Sequence, residues 1–441
     1  MWRWPPALPS HSSFALRCAA APICLIDSPP ADALPDAEGL VRLDIEIADG
    51  RIARIAAATR DTSGPVDLDG SQVWPCFVDM HTHIDKGHIW PRAENPDGTR
   101  DGAIAATAAD RERRWSARDV ELRMAFALRT AYAHGTAAIR THIDSAAPQH
   151  RISWPVVARM RENWRGRIEL QAVTILPIEQ LAGTFGDELA DLVAKSGGIL
   201  GGVALPAPDL DARLDRVFAL AVERGLELDF HADESLDPNA RALAAIAAAK
   251  LRHRFERRVV VGHCCSLGVQ DEAATDRTLD LVAQAGVAVV SLPMCNLFLQ
   301  DRRPGRTPRR RGVTLLHEMR ARGIRVAVAS DNCRDPFYAY GDHDALEVFT
   351  QATRIAHLDR PVGAWPTAVT RAPAEIMGLN GVGRIAVGGD ADLVLFNARN
   401  YSELLSRPQA DRIVLRRGRA IDTTPPSYRE LDAFVTAPGP R

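Results

Sequence analysis

Short apolar, β-branched runs alternate with longer Ala-rich amphipathic stretches through most of this chain. Eight runs stand out, at 73–80, 137–143, 169–176, 199–205, 226–230, 259–262, 287–292 and 325–329. The segments between them carry apolar residues at helical spacing, clearest at 117–134, 214–224 and 243–253. Strands that recur with helices between them define an α/β protein with a parallel sheet. Eight such units predict a (β/α)8 TIM-like barrel over residues 73–378. The interval after the first run is long, so residues 87–100 are expected to form a loop over the barrel mouth. Both flanks read differently. Residues 40–72 hold LVRLDIEIADGRIARIAA, alternating strands around an Asp49-Gly50 turn, and 383–422 hold GRIAVGGDADLVLFNA and DRIVLRRGRAI. Neither flank buries a core alone. The expectation is therefore a small β-sandwich made from both chain ends, residues 1–72 and 379–441. Its first strand lies near 15–25 after a short ragged extension, and it ends in a Pro-rich, loose or edge-packed tail.

Composition narrows the class. The chain has 441 residues, 46% hydrophobic and 25% charged, the mix of a folded protein with a large core. A net charge of −2 gives no basic excess for nucleic acid or an anionic membrane. Arg309, Arg310 and Arg311 read as a solvated loop. Seven scattered cysteines are not a secreted disulfide framework. No apolar stretch reaches the roughly 18 residues a membrane span needs. Prolines at 5, 6 and 9 and Arg17 break the signal-like start. These features lead to the expectation of a cytoplasmic protein with a small-molecule substrate, no nucleic-acid or membrane partner, and a homo-oligomer left open.

The strongest local chemistry is His81-Thr82-His83, directly after VWPCFVDM. Residues i and i+2 of a strand share a side, so two imidazoles point together at the C-terminal end of the first barrel strand, where barrel active sites are built. Two satisfied histidines at a strand end would read the same in isolation. More ligand types follow at strand ends, however: His231 closes LELDF, His263 closes VVVG and Asp331 follows RVAVAS. The successive intervals, His83 to His231, His231 to His263 and His263 to Asp331, are close to four, one and two strand–helix units. Strands one, five, six and eight thus deliver candidate ligands to one mouth. Imidazoles with one carboxylate suit Zn or Fe(II). Glu234, three residues beyond His231, is placed to exchange protons with a water at such an ion. Its bland alternative is an acid at a helix N-terminus. Cys264 and Cys265 read as packing residues, since nothing obvious lowers their pKa.

HTHIDKGH, HADE, GHCC and SDNCRDPFYAYG resemble the metal motifs of the amidohydrolase superfamily, within it the cytosine deaminase-like branch. CNLFLQDRRPGRTPRRRG resembles that branch's Asn-x-x-Leu-Gln-Gly-Arg loop, with Asp301 replacing its Gly. The resemblance implies one divalent metal held by His81, His83, His231 and Asp331. It also implies proton transfer by Glu234, and a His263 that orients the attacking hydroxide. Binuclear members bridge their metals with a lysine on strand four; ILGGVALPAPD has none, which favours one metal. Neither Pro-Cys-x-x-Cys nor HExxH occurs.

The resemblance also implies the substrate region. Where the branch has Gln after the Pro ending strand three, this chain has Ile178, and Gln180 takes that role only through a shifted loop. Asn332 stands where a second Asp is usual, and Phe337 where Trp is. A neutral Asn is easier to desolvate than an ionised Asp, and Phe frees volume. Both changes favour a 5-methyl group. The expectation is hydrolytic deamination of cytosine or 5-methylcytosine. Alkylamine release from a triazine, or opening of another cyclic amide, is the second reading, and a catalytically silent metal-binding scaffold the third.

Overall fold

The computed structural model describes residues 4, 6, 8, 9, 11, 13–59 and 66–436. Most of the expected N-terminal extension and residues 437–441 of the tail lie outside them. Sixteen strands follow in chain order among the described residues. The first five are β1 (Phe14–Pro22), β2 (Leu40–Ala48), β3 (Arg51–Ala57), β4 (Val66–Asp67) and β5 (Gln72–Pro75). Eight more are β6 (Phe77–Thr82), β7 (Thr136–Asp144), β8 (Glu169–Ile175), β9 (Leu200–Ala204), β10 (Leu228–Ala232), β11 (Val259–His263), β12 (Ala288–Ser291) and β13 (Val326–Val328). The last three are β14 (Leu393–Phe396), β15 (Ile413–Arg416) and β16 (Arg419–Ala420).

Two compact units divide the chain. The first comprises Met1–Asp79, Arg129–Ala138 and Asp344–Pro425. Its strands form one eight-stranded sheet in the order β16-β15-β14-β5-β1-β2-β3, with β4 beside β1. Both chain ends contribute to it, joined where Val394 of β14 lies opposite Trp74 of β5. Two separate stacked sheets, the sandwich expected, are not seen among the described residues. The turn between β2 and β3 is the one expected: Asp49 and Gly50 have φ of 50° and 79°, and Ala48 pairs with Arg51. Two successive positive φ values fit a tight hairpin whose twist matches its strands. The core of this sheet gathers Leu16, Val41, Leu43, Ile45, Leu393 and Leu415, all fully buried.

The second unit comprises Met80–Leu128, Ile139–His343 and Pro426–Arg441. Here β9 to β13 form a five-stranded sheet in the order β13-β12-β11-β10-β9, and β6-β7-β8 form a three-stranded one. Neighbours in the larger sheet run parallel. Between the two arcs the backbone pairs only through isolated parallel bridges among the described residues, Val173–Ile199 and Pro177–Val203 at one seam and Thr82–Asp331 at the other. The architecture is TIM-barrel-like α/β, but its sheet is not the continuous closed ring that was expected. The eight barrel strands fall within the eight apolar runs or within two residues of them. The first run, 73–80, is the exception: it supplies two strands of different sheets. Cys76 N donates to Asp392 O and Phe77 N to Gly135 O, so the backbone changes partner at that point. Apolar periodicity does not distinguish one sheet from the next. Residues 87–100 hold a short 3-10 turn (Trp90–Arg92) and lead into α1 (Arg100–Arg114), a helix the periodicity did not single out; α2 (Ala117–Ala133) follows where expected. Part of the tail is ordered, with Tyr428 stacked on Phe126. No helix among the described residues is long and apolar enough to cross a membrane.

Candidate active site

His81 and His83 leave one side of β6, and His231 comes from the end of β10. Asp331 follows β13 in a left-handed conformation (φ 65°), tied by its N–H to His81 O at 2.8 Å. Their ligand atoms converge. His231 Nε2 lies 3.1 Å from His81 Nε2 and 3.3 Å from His83 Nε2. Asp331 Oδ1 lies 3.1 Å from His83 Nε2 and 3.7 Å from His81 Nε2. All four side chains are buried. Three imidazole nitrogens facing one another cannot satisfy each other fully, because each neutral ring has one N–H and one lone pair. The Asp331 carboxylate receives no N–H or O–H hydrogen bond despite its burial. A tetrahedral Zn2+ places ligands at about 2.0–2.1 Å, hence about 3.3 Å from one another, and the observed spacings fit such an ion.

The charges agree. Burial, then the neighbouring imidazoles, hold His81 well below the usual histidine range. Burial dominates for His83 and His231 too, leaving the neutral rings that bind metals. Burial and the Glu234 charge push Asp331 well above the usual carboxylate range, the condition a cation reverses.

Glu234 sits beside this cluster. Burial pushes its carboxyl up, but His263 and Arg100 outweigh that and hold it below the usual range. Arg100 Nε donates to Glu234 Oε2 at 2.9 Å, and His263 Nδ1 lies 3.5 Å from Oε1. Asn296 Nδ2 donates to His263 Nδ1 at 3.0 Å, which leaves the ring proton on Nε2. Burial pushes His263 down to about 4. Gln300 Nε2 donates to the Glu234 carbonyl.

A cavity of about 280 Å³ opens on these groups. Arg100, Ile104, Thr107, Ala108 and Arg111 line it from one face of α1. Gln180, Asn332 and Phe337 also line it, as expected; Ile178 is not among the lining residues. After Pro177 the chain makes a 3-10 turn (Ile178–Leu181). That turn buries Ile178, close enough to Gly202 that an added Cβ there would meet its Cγ2 at 3.0 Å. Gln180, in the same turn, lies on the cavity wall. Asn332 Nδ2 donates to Asp335 Oδ2 at 2.7 Å. Lys86 Nζ lies 4.3 Å over the Phe337 ring. The sequence reading passed over His142 at the end of β7. Its ring centroid lies 4.0 Å from that of His81, and its Nε2 3.4 Å from Asp229, which also accepts from Arg140 at 2.9 Å. His142 was visible in principle as one more histidine closing an apolar run. Arg100 was not, because 134 residues separate it from Glu234.

The site and the barrel-like arrangement define a class, and comparison with known proteins places the chain within it. The family model described as "Amidohydrolase family" matches residues 184–421. A pterin deaminase of Rhizobium rhizogenes is 55% identical over 406 residues, covering 91% of this chain and 93% of that protein. The N-isopropylammelide isopropyl amidohydrolase of Pseudomonas sp. is 26% identical over 394 residues, 86% and 93% of the two chains. Among solved structures, the 5-methylcytosine deaminase of Klebsiella pneumoniae liganded with 5-fluorocytosine superposes with a TM-score of 0.78 at 24% identity, over 92% of this chain and 97% of that one; at that identity the likeness is one of fold. The chain belongs to the amidohydrolase family. It is a hydrolytic deaminase acting on cyclic amidines, with a His-rich site able to bind a metal.

Proposed function

We propose that this enzyme deaminates a bicyclic 2-amino-4-oxo heterocycle of the pterin type, replacing the exocyclic amine with oxygen and releasing ammonia. The observation that carries this reading is the 55% identity to a pterin deaminase across nearly the whole of both chains. It displaces cytosine and 5-methylcytosine, for which the comparisons supply a fold likeness only. The cavity supports the larger substrate. Its apolar lining extends from Phe337 past Leu176 and Leu205 to Ile104 of α1, more surface than one pyrimidine ring covers.

In this reading His81, His83, His231 and Asp331 hold one divalent ion, Zn2+ or Fe(II), whose chemistry is to acidify a water and polarise the carbon under attack. The protein's own groups do the rest. Glu234, kept ionised by Arg100, accepts a proton from the attacking water and returns it to the ring nitrogen beside the reacting carbon. His263, with its proton fixed on Nε2 by Asn296, donates toward the incoming oxygen. The C–N bond to the exocyclic amine then breaks, and the nitrogen leaves as ammonia with the second water proton. Gln180 offers both a donor and an acceptor to the lactam edge of the ring. Phe337 covers a ring face, with Lys86 beside it.

Ammonia release from pterin, cytosine and 5-methylcytosine, with alkylamine release from an alkylamino-triazine, tests the reading. We expect kcat/KM on pterin to exceed that on either cytosine at least a hundredfold. Equal or better turnover of a cytosine, or turnover of the triazine alone, overturns it.

A further inference from the structure

We propose a second metal site, built from His88, Cys333 and His343, that takes a soft divalent cation of the Zn2+ class and staples two loops of the active-site face. It shares no ligand with the catalytic centre.

The two motifs HTHIDKGH and SDNCRDPFYAYG each contain a residue that the catalytic reading leaves unused, His88 and Cys333, and His343 follows two positions after the second motif. The fold brings these three together: one ligand atom from each lies within 4.8 Å of the others. All are buried, at 0%, 1% and 2% exposure. Neither ring nitrogen of His88 has a hydrogen-bond partner. A buried imidazole that forgoes both bonds loses its hydration without compensation, and such groups are rare in folded proteins unless an ion or water completes them.

The backbone is bent to make this arrangement. His88 and His343 have φ of 65° and 50°, the left-handed region that non-glycine residues seldom occupy. His88 N donates to Cys333 O at 3.0 Å, so the segments after β6 and β13 are already paired beside the three side chains. The Cys333 thiol donates to Gly341 O at 3.1 Å, which puts a fourth oxygen donor next to the sulfur. Phe126 packs against the His88 ring at 4.8 Å between centroids and gives the site an apolar wall. Burial, then His343 and Arg334, hold His88 well below the usual histidine range, in the neutral form a metal requires.

One sulfur and two imidazole nitrogens select Zn2+ over Mg2+ or Ca2+. On binding, the thiol proton is released to solvent and the thiolate becomes the ligand; nothing is oxidised or reduced. The stapled loops carry Lys86 on one side and Asp331, Asn332 and Phe337 on the other, so the ion would fix both walls of the substrate cavity without touching substrate.

Cobalt substitution reads this site separately from the catalytic one. Thiolate ligation gives Co2+ an intense near-ultraviolet charge-transfer band that imidazole and carboxylate ligands do not. We expect the Co2+-loaded wild-type enzyme to show it. Cys333→Ser and His88→Asn should each lose the band, or most of its intensity, together with one metal equivalent, while keeping the equivalent at the catalytic centre. Absence of the band in the wild type overturns the proposal, as does unchanged metal content in both variants. A band that survives Cys333→Ser and disappears in Cys295→Ser places the thiolate elsewhere and also overturns it. None of these readouts depends on which heterocycle the enzyme deaminates.

Discussion

At the scale of single residues, the proposed function separates the groups that would hold a metal from the one that would move protons. Glu234 is not part of the tight cluster of ligand atoms, and its two closest polar partners are Arg100 and His263. Glu234→Gln keeps the shape and removes the proton acceptor, so metal content should stay as in the wild type while kcat falls about 10²–10⁴-fold. His231→Ala removes one ligand and should lose the catalytic equivalent of metal while keeping the equivalent at the His88–Cys333–His343 site. Elemental analysis beside steady-state rates distinguishes the two; a Gln variant with near-normal turnover would make Glu234 a structural acid. The convergence of His81, His83, His231 and Asp331 was legible in the sequence because strand alternation fixes which side His81 and His83 take, and because the others close apolar runs. Ile178 and Gln180 were harder. A 3-10 turn rotates successive residues by roughly 120°, and no periodicity reveals that Pro177 begins one. Arg100 and Asn296 act through folding distance and leave no local mark.

At the scale of elements, close approach sets the geometry as much as the ligands do. Gly262 precedes His263 on β11, and a Cβ there would sit 2.7 Å from His81 Cε1 and 3.0 Å from Nδ1. Gly262→Ala should therefore displace the His81 ring while leaving the strand's backbone tolerable. We expect metal affinity to drop about 10–100-fold, as for loss of a supporting contact to a ligand. Competition with a chelator measures it, and unaltered affinity would show that the ring yields freely. A second element-scale dependence lies in the unit of the flanking sheet. Asp344 caps the helix Ala345–Ala356, accepting from Leu346 N, and meets Arg412 through two hydrogen bonds at 2.7 and 2.5 Å. Burial pushes its carboxyl up, but Arg412 outweighs this and holds the pKa below the usual range. A depressed folded-state pKa stabilises above the unfolded value, about 3.9, and that stability is lost as pH falls through the folded value. Asp344→Asn leaves Arg412 buried and unpaired, a cost of about 3–5 kcal/mol at pH 7. The gap between variant and wild type in denaturant melts should shrink below about pH 4. A gap independent of pH would assign the cost to packing.

At the scale of the whole molecule, the sequence shows two textures, but neither the bounds of the compact units, which assign 129–138 and 344–378 to the flanking sheet's unit, nor the sheet connectivity was legible in it. Hydrophobic patterning specifies which faces are buried; hydrogen bonding decides whether two chain ends stack or join edge to edge. All candidate site residues fall in one unit, and the segment that shapes its substrate cavity is α1, part of the long interval after β6. Ile104 projects from that helix into the cavity wall while 43% exposed, unusual for a large apolar side chain. An exposed Ile beside a catalytic cavity is explained if substrate covers it. In the pterin reading the reacting amidine is anchored by the metal-side groups, so the second ring reaches toward α1, and Ile104 gains burial only when a bicyclic substrate is bound. That contact is the same in ground and transition states, so Ile104→Ala should raise KM for pterin about tenfold, or ~1.4 kcal/mol, and leave kcat nearly unchanged. For a single-ring substrate the same change should move neither parameter, because the ring ends before the helix. A loss of kcat on both kinds of substrate would mean that α1 supports Arg100 and through it Glu234. A KM unchanged on pterin would place the second ring against Leu205 and Gln180 instead.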